Sequence, residues 1–135
     1  MTQDVSGKDS LEWLSSGAAY RFSGWPNSEM PHAAAGVYTI WDSEELIYVG
    51  MSGRGLSADD LVEAREQGSK KGLYTRLNSH ASGRRSGDQF CVYVCDRLVL
   101  KALTSAQIHQ VADGKESLDR LTREYIHSHL SYRFI

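Results

Sequence analysis

The chain lacks any uninterrupted apolar run approaching the roughly 18 residues of a membrane span, so no membrane partner is expected. It has only 2 Cys and 2 Pro in 135 residues, which excludes a disulfide-stapled scaffold and a proline-rich linker. Cys91 and Cys95 sit in FCVYVCD, which reads as a strand. At about 3.3 Å per residue their Cα atoms would lie about 13 Å apart, beyond the roughly 7 Å limit of a bridge, so both are expected as free thiols. The opening MTQDVSGKDS shows no basic segment followed by an apolar stretch, and no signal peptide is expected. Together these features favour a reducing, cytoplasmic setting. Also missing are GxxxxGK[ST], HExxH, paired CxxC and GxSxG, so nucleotide hydrolysis, zinc proteolysis and serine hydrolysis lose their usual sequence support.

What remains is one globular domain, 41% hydrophobic and 24% charged, long enough to hold a core without staples. The net charge of −2 argues against coating nucleic acid by bulk electrostatics, but the charge is unevenly placed. Residues 1–50 carry Lys8 and Arg21 against seven acids, whereas residues 51–101 carry nine bases against six. Within 69–85 stand Lys70, Lys71, Arg76, Arg84 and Arg85 with no acid, the local concentration that phosphate contact needs.

Residues 1–35 read as an N-terminal extension packing on a core domain of 36–135. DSLEWLSS opens a short helix, and SGWPNSEMPHAAAG holds turn formers and both prolines. GVYTIW and ELIYVG, separated by DSEE, predict an antiparallel hairpin with strands at 36–42 and 46–50. Ser57 before ADDLVEAREQ and Gly68 after it predict a helix at 58–67. A second helix runs from near Gly72 to Gly83, with Leu73 and Leu77 facing the core and Arg76 and His80 sharing another face. FCVYVCD predicts a buried third strand at 90–96, and Ser105 to Ala112 and Ser117 to Leu130 predict two helices, each opened by a serine. The order is that of a small α+β domain: a three-stranded antiparallel sheet flanked by helices.

Gly36-Val37-Tyr38, then Tyr48-Val49-Gly50, then LYTRLNSH, then the helical Glu124 follow one another on suitable elements. In this order they resemble the GIY-YIG nuclease superfamily over roughly residues 35–130. The resemblance implies the three-stranded fold and metal-dependent cleavage of phosphodiester bonds in nucleic acid, DNA in the first place. It puts Tyr38 and Tyr48 at the hairpin, Arg76 and His80 on the following helix, and Glu124 as the single acidic ligand of Mg²⁺ or Mn²⁺. The roles make chemical sense. A hard cation held by one carboxylate and waters neutralises charge and stabilises the leaving oxygen. A permanently charged, planar guanidinium at Arg76 stabilises the transition state, worth about 3–4 kcal/mol by analogy with an oxyanion donor. Tyr38 acts as base only if nearby positive charge favours its phenolate, with His80 assisting; His80 is itself the other candidate.

Two departures accompany the resemblance. Met51 stands where a Lys or Arg often follows the second motif, with Arg54 as its substitute, and no Asn follows Glu124, leaving His127, His129 or Arg133 to cover that place. Gly50 and Gly53 are expected to serve backbone turns. Arg54, Lys70, Lys71, Arg84 and Arg85 are the expected nucleic-acid contacts, and about four neutralised phosphates give a log–log salt slope of roughly −3.6. A single site cuts one strand, so double-strand cleavage requires a homodimer or sequential nicks. The competing expectation is a non-catalytic nucleic-acid-binding or protein-interaction module on the same fold.

Overall fold

Aromatic and β-branched residues dominate GVYTIWD and ELIYVGMS, and in the computed structural model, which describes residues 7–135, they form the long hairpin of the molecule. The first six residues of the 1–35 extension lie outside the described residues. Strand β3 spans Gly36–Asp42 and β4 spans Glu45–Ser52, joined by Ser43 and Glu44, with Ser43 at φ 55°. A bulge after Ile40 keeps Ile40 opposite Tyr48 and moves Trp41 opposite Leu46. The other neighbour of β3 is β6, Leu130–Phe134, which pairs antiparallel from Tyr38↔Phe134 to Asp42↔Leu130. A two-residue strand β1, Tyr20–Arg21, adds to the far side of β6. The antiparallel sheet therefore has four strands in the order β1-β6-β3-β4. Short β2, Ala33–Ala34, and β5, Lys71–Gly72, make a separate parallel pair.

Helices cover both faces. Helix α1, Gly7–Ser16, lies on one: the Thr39 hydroxyl donates to the Leu14 carbonyl at 2.7 Å, and the Trp13 indole N–H to the Phe134 carbonyl at 3.0 Å. Tyr38 and Ile40 alternate to the other face. There they meet α3 (Leu73–Ser82), α4 (Gln89–Val94) and α7 (Leu118–His129) in a core that includes Leu73, Leu77, Phe90, Val94, Leu121 and Ile126. The 1–35 extension is built into this body, since Phe22 and Met30 belong to the same core and β1 completes the sheet. Helix α2, Ala58–Glu66, is capped by a reciprocal Ser57/Asp60 box, and α6, Ser105–Ala112, by Thr104 with Gln107 rather than by Ser105.

The predicted third strand at 90–96 is helical. Residues Gln89–Val94 form α4, which continues as a π-helical stretch, Cys95–Val99, and a last turn, α5, Leu100–Ala102. Buried Phe90, Cys91, Val94, Cys95 and Val99 recur at helical spacing, and burying them on one stripe outweighs the strand preference of Val, Phe and Tyr. The strand that takes the predicted one's place is β6, where the last expected helix ends one residue early, at His129. Cys91 and Cys95 are buried free thiols, but as i, i+4 neighbours on this helix rather than on a strand. No helix among the described residues is long and apolar enough to cross a membrane.

Candidate active site

The hairpin register explains how the first motif meets the second. Tyr38 lies directly opposite Gly50, and Tyr48 lies two positions along on the same face. A Cβ at Gly50 would overlap the Tyr38 phenol at Cζ and its hydroxyl, so the ring can lie across the neighbouring strand only because residue 50 has no side chain. Gly50 is thus a clearance for Tyr38 within β4 and not a turn residue. Gly53, at φ 84° and close against Ala35, is the turn residue. The two tyrosine rings stack at 6.2 Å between centroids.

Helix α3 brings His80 to this face. Its Nε2 lies 2.7 Å from the Tyr38 hydroxyl and its Nδ1 lies 2.8 Å from Oδ2 of Asp88. Asp88 is the N-cap of α4: Oδ1 accepts the Cys91 backbone N–H at 3.1 Å, and Oδ2 also accepts the Ser79 hydroxyl at 2.7 Å. Tyr38 is 1% exposed, His80 2% and Asp88 4%. Burial alone would raise the Asp88 carboxyl, but hydrogen bonds from His80 and Ser79, the positive charge of His80 when protonated and the Cys91 N–H outweigh it and bring the group down to about 2. An ionised carboxylate can only accept, so Nδ1 of His80 carries a proton. In the neutral ring Nε2 is then the acceptor for the Tyr38 hydroxyl. Tyr48 and Phe90 enclose the imidazole, with centroids at 5.6 and 4.5 Å.

Of the positive charges expected to favour a phenolate at Tyr38, Arg76 is the one that acts on it among the described residues. Burial pushes the Tyr38 phenol up, Tyr48 and Asp88 add to that, and only the Arg76 guanidinium acts the other way. The Tyr38 hydroxyl, held up by burial, has the His80 Nε2 within 2.7 Å to receive its proton.

The structure brings together Tyr38, Tyr48 and His80, with Arg76 on the same helical face as His80. Arg76 is exposed and makes no hydrogen bond or ion pair among the described residues. Glu124 stands apart from that hydrogen-bonded group. Its side chain is 56% exposed, and its one hydrogen-bonded partner among the described residues is Arg120, at 2.6 Å. Arg120 also pairs with Glu116. No group of three or more His, Cys, Asp or Glu able to hold a metal occurs among the described residues. Among the expected phosphate contacts, Arg54, Lys71 and Arg84 are exposed, and the Lys70 ammonium sits 5.0 Å over the Tyr74 ring. Arg85 is committed to Asp119 at 2.7 Å. His127 is tied by Nε2–H to the Ala81 carbonyl, His129 stacks on Tyr125, and Arg133 donates to the Gly17 carbonyl and lies over Trp41.

Asp88 is the site residue that sequence reasoning missed. Its signal was available: an Asp two residues before a 90, 91, 94, 95 apolar spacing is an N-cap, but only once that stretch is taken as helix. Comparisons of the chain with protein-family models, with curated proteins and with solved structures find no match.

Proposed function

We propose that this chain is a metal-dependent endonuclease of the GIY-YIG type, hydrolysing phosphodiester bonds in nucleic acid, with DNA the first substrate to test. The observation that carries the reading is the buried line from the Tyr38 hydroxyl through His80 to Asp88, beside an Arg76 guanidinium without a hydrogen-bond or ion-pair partner among the described residues. A proton leaving Tyr38 moves to Nε2, and the Asp88 carboxylate stabilises the imidazolium that forms, the logic by which a buried acid supports a histidine base. Tyr38 so relieved of its proton takes one from the attacking water. Arg76 offers its planar fork to the non-bridging oxygens where charge grows.

Glu124 fits a hydrated divalent cation chemically, because an Mg²⁺ site needs few protein oxygens and an exposed pair with Arg120 is weak enough to yield. Mg²⁺ or Mn²⁺ bound there would neutralise the phosphoryl oxygens and stabilise the leaving group. A second reading, the non-catalytic binding module, draws on two observations: Tyr38 is buried and Glu124 is engaged by Arg120.

The deciding experiment incubates the protein with plasmid, single-stranded DNA and RNA in Mg²⁺, Mn²⁺ or EDTA, alongside Glu124→Ala and Asp88→Asn. Metal-dependent cleavage lost in both variants is the expected result. Binding without cleavage under every condition supports the module instead.

A further inference from the structure

Along α3, Tyr74, Asn78 and Ser82 follow at four-residue spacing on one flank, while Arg76 and His80 occupy another. The Tyr74 flank faces an open groove of about 770 Å³ running to α7, with Trp25, Asn78, Ser86, Arg84 and Arg123 among its walls. No Asp or Glu among the described residues lines it. Its two arginines are neighbours because of Gly83. At φ 73° this residue ends α3 in the left-handed conformation, and a Cβ there would stand 2.5 Å from the Arg123 backbone nitrogen. Helices α3 and α7 therefore touch at that point, which sets Arg84 beside Arg123.

Neither guanidinium makes a side-chain hydrogen bond or ion pair among the described residues, in contrast to Arg85 and Arg120 nearby in sequence. The positive charge extends along the flank through Lys70 above Tyr74. Aromatic surface accompanies it: Trp25 packs on Tyr74 with centroids 5.1 Å apart, and the Asn78 side chain holds the indole N–H at 2.9 Å. A molecule of net charge −2 gathers cations without ion pairs among the described residues beside an aromatic wall, and the acid that Arg84 feels, Asp119, is itself held by Arg85, so the groove presents the components of a phosphate-backbone contact.

We propose that this groove is a second nucleic-acid contact, separate from the Tyr38 site across α3, in which Arg84 and Arg123 hold the phosphodiester backbone of a strand alongside Trp25. It rests on the nucleic-acid part of the functional reading and is independent of catalysis.

The test is equilibrium binding in EDTA, by fluorescence anisotropy of labelled 20-nucleotide single-stranded and duplex DNA across a salt series, with polyglutamate as competitor. The double variant Arg84→Ala/Arg123→Ala is expected to weaken binding roughly tenfold or more and to flatten the log–log salt slope by up to about two units. Ser86→Glu, an acid placed in the groove from an exposed position, should weaken binding while both arginines stay. A larger loss for single-stranded than for duplex DNA assigns an unpaired strand to the groove, and the reverse assigns duplex; either supports the site. Unchanged affinity and slope in both groove variants overturn it, as does competition by polyglutamate as effective as that by unlabelled DNA, which would make the occupant an acidic protein. Groove-dependent binding without cleavage in metal sinks the nuclease reading alone. Cleavage and binding that ignore the groove variants sink the groove alone.

Discussion

Asp88 decides which nitrogen of His80 is available. Because its carboxylate accepts from Nδ1, the neutral ring presents Nε2 to Tyr38 as an acceptor. Asp88→Asn keeps the shape and removes the charge, so the imidazolium formed on proton transfer loses its counter-ion. On the proposed nuclease reading, cleavage is expected to fall by about 10²–10⁴ in turnover with substrate affinity held, to be measured in steady-state assays. His80→Gln should produce a comparable loss, since glutamine cannot take up a proton. The same carboxylate leaves a signature in stability. Its folded value, about 2, lies below the ordinary 3.8, so the stabilisation is present above about pH 4 and disappears as the pH falls toward 2. Urea unfolding at pH 6 and near pH 2 should show the wild type losing on the order of 2 kcal/mol more than Asp88→Asn over that interval. Equal losses would mean that the buried pair contributes no pH-dependent stability.

At the scale of elements, two glycines let side chains and backbones approach where a methyl would not fit. Gly50→Ala places a Cβ inside the Tyr38 phenol, so the ring must turn away from His80. We expect a cost of about 1–3 kcal/mol in thermal unfolding together with loss of cleavage, whereas the same change at the exposed Gly55, where nothing lies within 4 Å, should alter neither. The hairpin carrying this pair was readable because β-branched and aromatic runs flank a short polar turn, and α2 and α3 because each ends on a capping residue or glycine. The stretch 90–96 was misleading: Val, Tyr and Phe suit a strand, while their spacing suits a helix, and burial follows spacing. Reading it as a strand hid Asp88, whose meaning depends on the helix it caps. LSYRF, by contrast, alternates buried Leu130 and Tyr132 with more exposed residues. That period of two was visible but lay masked behind a helical pattern that runs directly into it.

For the molecule as a whole, net charge conceals an arrangement of used and unused cations. Arg85 and Arg120 are neutralised by Asp119 and by Glu116 with Glu124, whereas Arg54, Lys71, Arg76, Arg84 and Arg123 are unpaired among the described residues. Arg85→Ala should therefore leave the salt slope of DNA binding unchanged, and Lys71→Ala should flatten it by about one unit if Lys71 meets a phosphate, both measurable in one titration series. The position of β6 has a further consequence. It lies between β1 and β3, joining the two ends of the described chain, so the strand bearing Tyr38 has an unsatisfied edge until residues 130–134 have been synthesised. A nascent polypeptide emerging from the ribosome would hold every residue of the Tyr38–His80–Asp88 line well before it could close the sheet around them. Translation itself would then delay the moment at which the sheet closes around that hydrogen-bonded line.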